Sequence, residues 1–250
     1  MKLTPGSSAP DQPPKDLGKT KIKPEPFGWS AELRFGAFTR TEFIIVVAVI
    51  ALLLLALVPT LKKAQRRGGR INCANNLKQI GLSVRLWSND NGGRPPSLVP
   101  TREGGAKELI EAGSVAGYFQ VMSNELGTPK IVACPDDPAH RPAKDFGVLH
   151  ATNIGFFVVP EADGTVTNLW LAGDRNLATN NVPLKPGWFT MPLNGAVSWT
   201  ERPQVTYDNL CYADGKVERP SSASLQASAI NALLAYRLAS TNKSFRIAIP

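Results

Sequence analysis

From Phe43 to Leu61 the chain runs without a charged residue, and Val, Ile and Leu dominate the stretch. At a helical rise of about 1.5 Å per residue, that length just spans a hydrocarbon core of about 30 Å. Basic residues crowd the C-terminal flank as Lys62, Lys63, Arg66, Arg67 and Arg70, which suits a segment beside phospholipid head groups. A cleavable secretory signal has a shorter apolar core, about 7–15 residues, and ends at a small-x-small site. Here the run closes in Val58-Pro59-Thr60-Leu61-Lys62 with no Ala-x-Ala, so the segment is expected to stay with the protein as a transmembrane helix.

The rest of the chain divides around that run. Residues 1–37, rich in Pro, Lys, Gly and Ser and poor in large apolar residues, predict a disordered cytoplasmic leader. Residues 38–61 are the transmembrane helix. Residues 62–90 continue it, because Ile71, Ala74, Leu77, Ile80, Gly81, Val84 and Trp87 recur at helical spacing. Asn89-Asp90-Asn91-Gly92-Gly93 and then Pro95-Pro96 end the helix. The remaining residues, 91–250, make one modest domain, which is all that 250 residues at 43% hydrophobic allow beyond an anchor. The net charge of +8 gathers beside the apolar run, so it points to a membrane surface and requires no nucleic-acid partner.

Within 91–250, Leu109, Ile110, Tyr118, Val121 and Met122 predict a helix over 106–125, with Gly113 and Gly117 against its continuity. After Pro129, short β-prone runs between turn signals predict an antiparallel sheet. The expected strands are Lys130 to Cys134, Ile154 to Val159 paired with Thr165 to Ala172 across Asp163-Gly164, and Leu210 to Ala213 paired with Lys216 to Glu218 across Asp214-Gly215. Ser221 is placed to cap a last helix over 223–238, and Phe245 to Ile249 is read as an edge strand. Trp170, Trp188, Trp199, Phe156, Phe157 and Phe189 are read as sheet core, and Arg175 as a residue that orders its loop by ion pairing. The fold class is therefore α+β: a long N-terminal transmembrane helix and a head of antiparallel strands.

Chemistry-bearing residues are sparse. Cys73, Cys134 and Cys211 form no C-x-x-C pair, which removes the usual zinc and redox spacings. In an oxidising compartment they allow one bridge by any of three pairings, with Cys73–Cys134 preferred; the alternative is three small buried hydrophobes. His140 and His150 sit in no catalytic motif, so the chain is not read as an enzyme. Asp136, Asp137, Glu161, Asp163, Asp174 and Asp214 are oxygen donors enough for calcium, but none falls in an EF-hand spacing. Turn chemistry accounts for the two Asp-Gly pairs. No metal or other cofactor is expected.

Gly36-Ala37-Phe38-Thr39-Arg40-Thr41-Glu42-Phe43, followed by the apolar run, resembles the N-terminal signal of type IV prepilins and type II secretion pseudopilins. The resemblance implies that a prepilin peptidase cuts between Ala37 and Phe38, that Glu42 is the fifth mature residue, and that Pro59 occupies the helix-bending position. It implies that Glu42 meets the free amine of a neighbouring pilin or pseudopilin subunit, since a carboxylate at the edge of an apolar helix needs a cation or donor. Ala37 stands where the family has Gly, and Arg40 where an apolar residue is usual.

A second set of segments, Cys73-Ala74-Asn75-Asn76-Leu77-Lys78-Gln79-Ile80-Gly81-Leu82, Leu171-Ala172-Gly173-Asp174-Arg175-Asn176 and Ala213-Asp214-Gly215-Lys216-Val217 among them, resembles a bacterial prepilin-type family with a His-x9-Asp-Gly signature. Here Gln204 replaces that His. Together the resemblances imply a pilin-like fold and a structural subunit of a pseudopilus or pilus-like filament. Its place would be the bacterial inner membrane, with the head in the periplasm or outside the cell. Counting charges alone would turn the protein round, because the basic residues after the helix outnumber those just before it. The other reading of function is a single-pass anchored binding protein that keeps its leader.

Overall fold

The computed structural model describes residues 39–135, 137, 140–192, 195–200, 208–240 and 244–250, with the side chains of 59, 60 and 62–67 excepted. The expected leader, the cleavage residues Gly36, Ala37 and Phe38, and also Asp136 and Gln204 lie outside the described residues. The described residues fall into two units, divided between Ala51 and Leu52. The fold is α+β: a long apolar helical stretch, then short helices and antiparallel sheets packed against a helix.

Helix α1 covers Arg40–Asp90. It ends in a reverse turn in which Gly93 N donates to Ser88 O at 2.7 Å, with Gly92 and Gly93 at φ +69° and +80°. Those left-handed values need glycine, which explains why the helix stops at the Asn-Gly-Gly signal.

The single helix expected over 106–125 is three: α2 (Lys107–Glu111), α3 (Val115–Val121) and α4 (Ser123–Leu126). Gly113 at φ +85° breaks the first from the second, and Ser114 restarts the helix by accepting from Gly117 N at 3.0 Å.

Nine strands follow among the described residues: β1 (Phe156–Val158), β2 (Trp170–Asp174), β3 (Leu177–Thr179), β4 (Val182–Pro183), β5 (Gly187–Thr190), β6 (Val197–Trp199), β7 (Leu210–Tyr212), β8 (Val217–Glu218) and β9 (Arg246–Ile249). Six form an antiparallel sheet in the order β5-β9-β1-β2-β7-β8, and three a small sheet in the order β4-β3-β6. Helix α5 (Ser222–Ala239) packs over β6, and Ser221 caps it by accepting from Ser224 N at 3.2 Å. One contiguous core joins the 73–87 stretch of α1, the short helices, the larger sheet and the inner face of α5.

Several strand expectations need correction. Lys130 to Cys134 is no strand: Pro129–Val132 is a 3-10 turn, started by Pro129 and by Thr128 Oγ1 accepting from Lys130 N. Proline at the first helical position and a threonine cap outweigh the β propensity of Ile131 and Val132. β1 and β2 do pair, Phe157 opposite Gly173, but residues 163–168 are connection and not strand. Asp163 Oδ1 accepts from Thr165 N and Oγ1, which folds that segment on itself.

β9 is no edge strand, because β5 pairs with it on the outer side, Phe189 opposite Ile247. Of the six aromatics expected in the core, Phe156, Phe157, Trp170 and Trp199 are buried, while Trp188 and Phe189 on β5 are half-buried. Trp188 is roofed by the Arg246 guanidinium 4.4 Å from its ring centre.

Candidate functional site

The apolar stretch begins with a reciprocal cap. Glu42 Oε2 accepts from Thr39 N at 2.9 Å and from Thr39 Oγ1 at 2.9 Å, while Glu42 N donates to Thr39 Oγ1 at 3.3 Å. This is a capping box, which satisfies donors that a helix start leaves open. Its sequence signal is the Thr39-x-x-Glu42 spacing.

From Arg40 to Val58, 19 residues are long and apolar enough to cross a membrane by length and composition, and none of that stretch is buried inside the protein. Phe43, Ile44, Ile45, Val46, Leu52 and Leu55 lie on different sides of the helix and all are exposed. A helix that is apolar all round has no solvent-facing side, so lipid or another apolar surface must cover it. Burial of each such side chain is worth about 1.5–3 kcal/mol. Pro59 lies within α1.

Residues 73–87 are built differently. Cys73, Leu77, Ile80, Val84 and Trp87 are buried at alternating four- and three-residue steps. Asn76 Nδ2 donates to Ala133 O at 2.9 Å, beside a Cys73–Cys134 disulfide with its Cα atoms 5.0 Å apart. Ser83 Oγ donates to Glu125 O at 3.1 Å. At Gly81 an added Cβ would stand 3.0 Å from Cys211 Sγ and 3.6 Å from Leu171, so the missing side chain lets the helix reach β2 and β7. Burial pushes the Cys211 thiol up to about 12, which makes it an inert packing group. Arg85 donates to Asp214 O at the tip of the β7–β8 hairpin. There Gly215 takes φ +83° and leaves room for the guanidinium.

Among the described residues, two carboxylates are buried in the sheet domain. Asp174, at the end of β2, accepts through Oδ2 from Asn209 N at 2.7 Å and Asn209 Nδ2 at 2.8 Å. Its Oδ1 has no hydrogen-bond partner among the described residues. Burial pushes this carboxyl up to about 7, against those two hydrogen bonds, with Asp208 adding to the rise and Arg219 opposing it. Asp137 bridges Arg175 Nε at 2.9 Å and His140 Nδ1 at 3.0 Å. Arg175 therefore does pair with a carboxylate, and the partner is Asp137, not the adjacent Asp174.

The other carboxylates considered as calcium donors are apart and separately engaged. Glu161 pairs with Arg246 at 2.7 Å, Asp163 closes its own turn, and Asp214 Oδ1 accepts from Lys216 N at 2.8 Å. Among the described residues, no group of three or more His, Cys, Asp or Glu side chains is placed to hold a metal ion. His150 caps a short turn, its backbone N donating to Asn153 Oδ1 at 3.0 Å. Asn76, Arg85 and Asn209 do more docking than residue type alone suggested, and their neighbours in the sequence do not mark them.

No protein-family model, no curated protein and no solved structure matches the chain. Its class is therefore set by its own geometry. The apolar helix and the disulfide together point to membrane anchoring with the sheet domain outside the cytoplasm, because disulfides persist in oxidising compartments.

Proposed function

We propose that the chain is a prepilin-like structural subunit of a type II secretion pseudopilus or pilus-like filament, and not an enzyme. A prepilin peptidase removes the leader between Ala37 and Phe38. The freed helix then packs against those of other pilin or pseudopilin subunits in the inner membrane. The observation that carries this reading is the 40–58 stretch, apolar on every side and buried nowhere within its own chain. Lipid covers such a surface before assembly and neighbouring helices cover it afterwards. The capping box engages only Oε2 of Glu42 in the hydrogen bonds above, so Oε1 is available to the ammonium of a neighbouring mature N-terminus.

A second reading, a single-pass anchored binding protein that keeps its leader, draws on the capping box itself. Thr39 accounts for Glu42 without any neighbouring chain. Intact-mass measurement of membrane-extracted protein separates the two. The filament reading expects a mature chain that begins at Phe38; a chain that retains residues 1–37 in cells with an active prepilin peptidase overturns it.

A further inference from the structure

The β7–β8 hairpin and the first turns of α5 enclose an open groove of about 650 Å³, within the size range of small-molecule sites. Its floor is ordered from the core outward. Trp170 Nε1 donates to Ser228 Oγ at 2.9 Å, Ser228 Oγ shares a 2.9 Å hydrogen bond with Tyr212 Oη, and the phenol lies beside the Glu218 carboxylate, itself paired with Lys216. The walls add the exposed amides of Asn168 and Asn231. Neither amide makes a side-chain hydrogen bond to the described residues.

We infer that this groove binds a short neutral saccharide. Three features carry the inference. Planar amides and carboxylates each offer paired hydrogen-bonding atoms, which match the adjacent hydroxyls of a sugar ring. The rim charges come in both signs, Lys216 and Arg219 against Asp214 and Glu218, so a ligand of net charge gains on one side what it loses on the other. Among the described residues the lining also lacks a large aliphatic side chain, which disfavours an apolar ligand. The inference goes beyond the filament reading and holds equally for a leader-retaining anchored protein.

The test is calorimetric titration of the full chain, held in the sugar-free detergent lauryldimethylamine oxide, with maltotriose, cellotriose and chitotriose. Binding of at least one is expected, with Kd between about 10 μM and 1 mM. Asn168→Ala and Asn231→Ala should each weaken it about tenfold by removing a ligand hydrogen bond, and should leave the melting temperature unchanged because both sites are exposed. Tyr212→Phe, which keeps the ring, should weaken binding without unfolding the domain. Absence of heat with all three sugars up to about 10 mM, affinity indifferent to both asparagine variants, or tighter binding of a zwitterionic tetrapeptide overturns the inference.

Discussion

Between Arg40 and Val58 every large apolar side chain of α1 is exposed, whereas between Cys73 and Trp87 a single stripe is buried and Leu82 and Leu86 stay out. The two stretches share one helix but differ in composition as well as arrangement, since Asn75, Asn76, Lys78, Gln79, Ser83 and Arg85 separate the apolar residues of the second and no polar residue interrupts the first after Glu42. A stripe at four- and three-residue steps commits a helix to one packing partner, here the sheet of the same chain. Apolar residues on all sides commit it to surroundings that are apolar on all sides. Substitutions should therefore act in opposite places. Changes at 73–87 should register in folding of the sheet domain, and changes at 40–58 in membrane partition or assembly.

The largest contrast is expected at the disulfide. Cys73–Cys134 closes a loop with a sequence separation of 61, and the chain-entropy model assigns such a loop about 4 kcal/mol. Replacing both cysteines by Ser, or adding reductant, should lower the thermal midpoint of the sheet domain markedly and leave membrane extraction unchanged. An unchanged midpoint would mean that the docked stretch of α1 is held by packing alone. Leu77→Ala comes next, at about 3 kcal/mol for a fully buried leucine. Leu53→Ala, on the exposed stretch, should leave domain unfolding untouched. Equal losses at the two positions would erase the distinction between them.

That distinction was legible in the sequence because it is a matter of period. The charge-free run and the stripe through Leu77, Ile80, Val84 and Trp87 can be read without a fold. Local signals were legible too: the cap at Ser221, the turn at Asp214-Gly215, the stop at Asn91-Gly92-Gly93. What failed were decisions made by partners distant in the chain. β9 is interior only because β5, some sixty residues earlier, closes over it, and Trp188 and Phe189 gave no alternation that marks a strand. At Lys130 to Cys134 the β-prone letters were outweighed by a proline and a threonine cap. In the candidate site, the Thr39-x-x-Glu42 box was visible in the sequence but masked by a more distant role assigned to the same carboxylate.

The domain should also carry a pH dependence of its own. Asp174 is pushed up to about 7 in the folded state from an unfolded value of 3.8. The folded protein therefore holds the proton more tightly. Stability from this group is full below about pH 4 and is lost as pH rises through 7. Between pH 5 and 7 the loss should be about 2 kcal/mol, read from urea unfolding at each pH. Asp174→Asn should flatten that slope. Asp208, raised by partial burial, contributes in the same direction, so Asp208→Asn should flatten it less. A slope that survives Asp174→Asn would place the titration elsewhere.

The smallest energetic effect discriminates most between the two accounts of Glu42. If the capping box is its whole role, Thr39→Ala and Glu42→Ala should each fray the first turn of α1 by about 1 kcal/mol, while Glu42→Gln, which can complete the same box, should be silent. If Oε1 also meets the ammonium of a neighbouring chain, the pattern inverts. Glu42→Gln then keeps the helix start yet abolishes incorporation into filaments, because an amide cannot neutralise a cation in an apolar setting. Thr39→Ala loosens the turn and still incorporates. Crosslinking of membrane-embedded chains scored in the three variants side by side reads the difference. Normal assembly of the glutamine variant would leave the 40–58 stretch as an anchor whose acidic residue serves only its own helix.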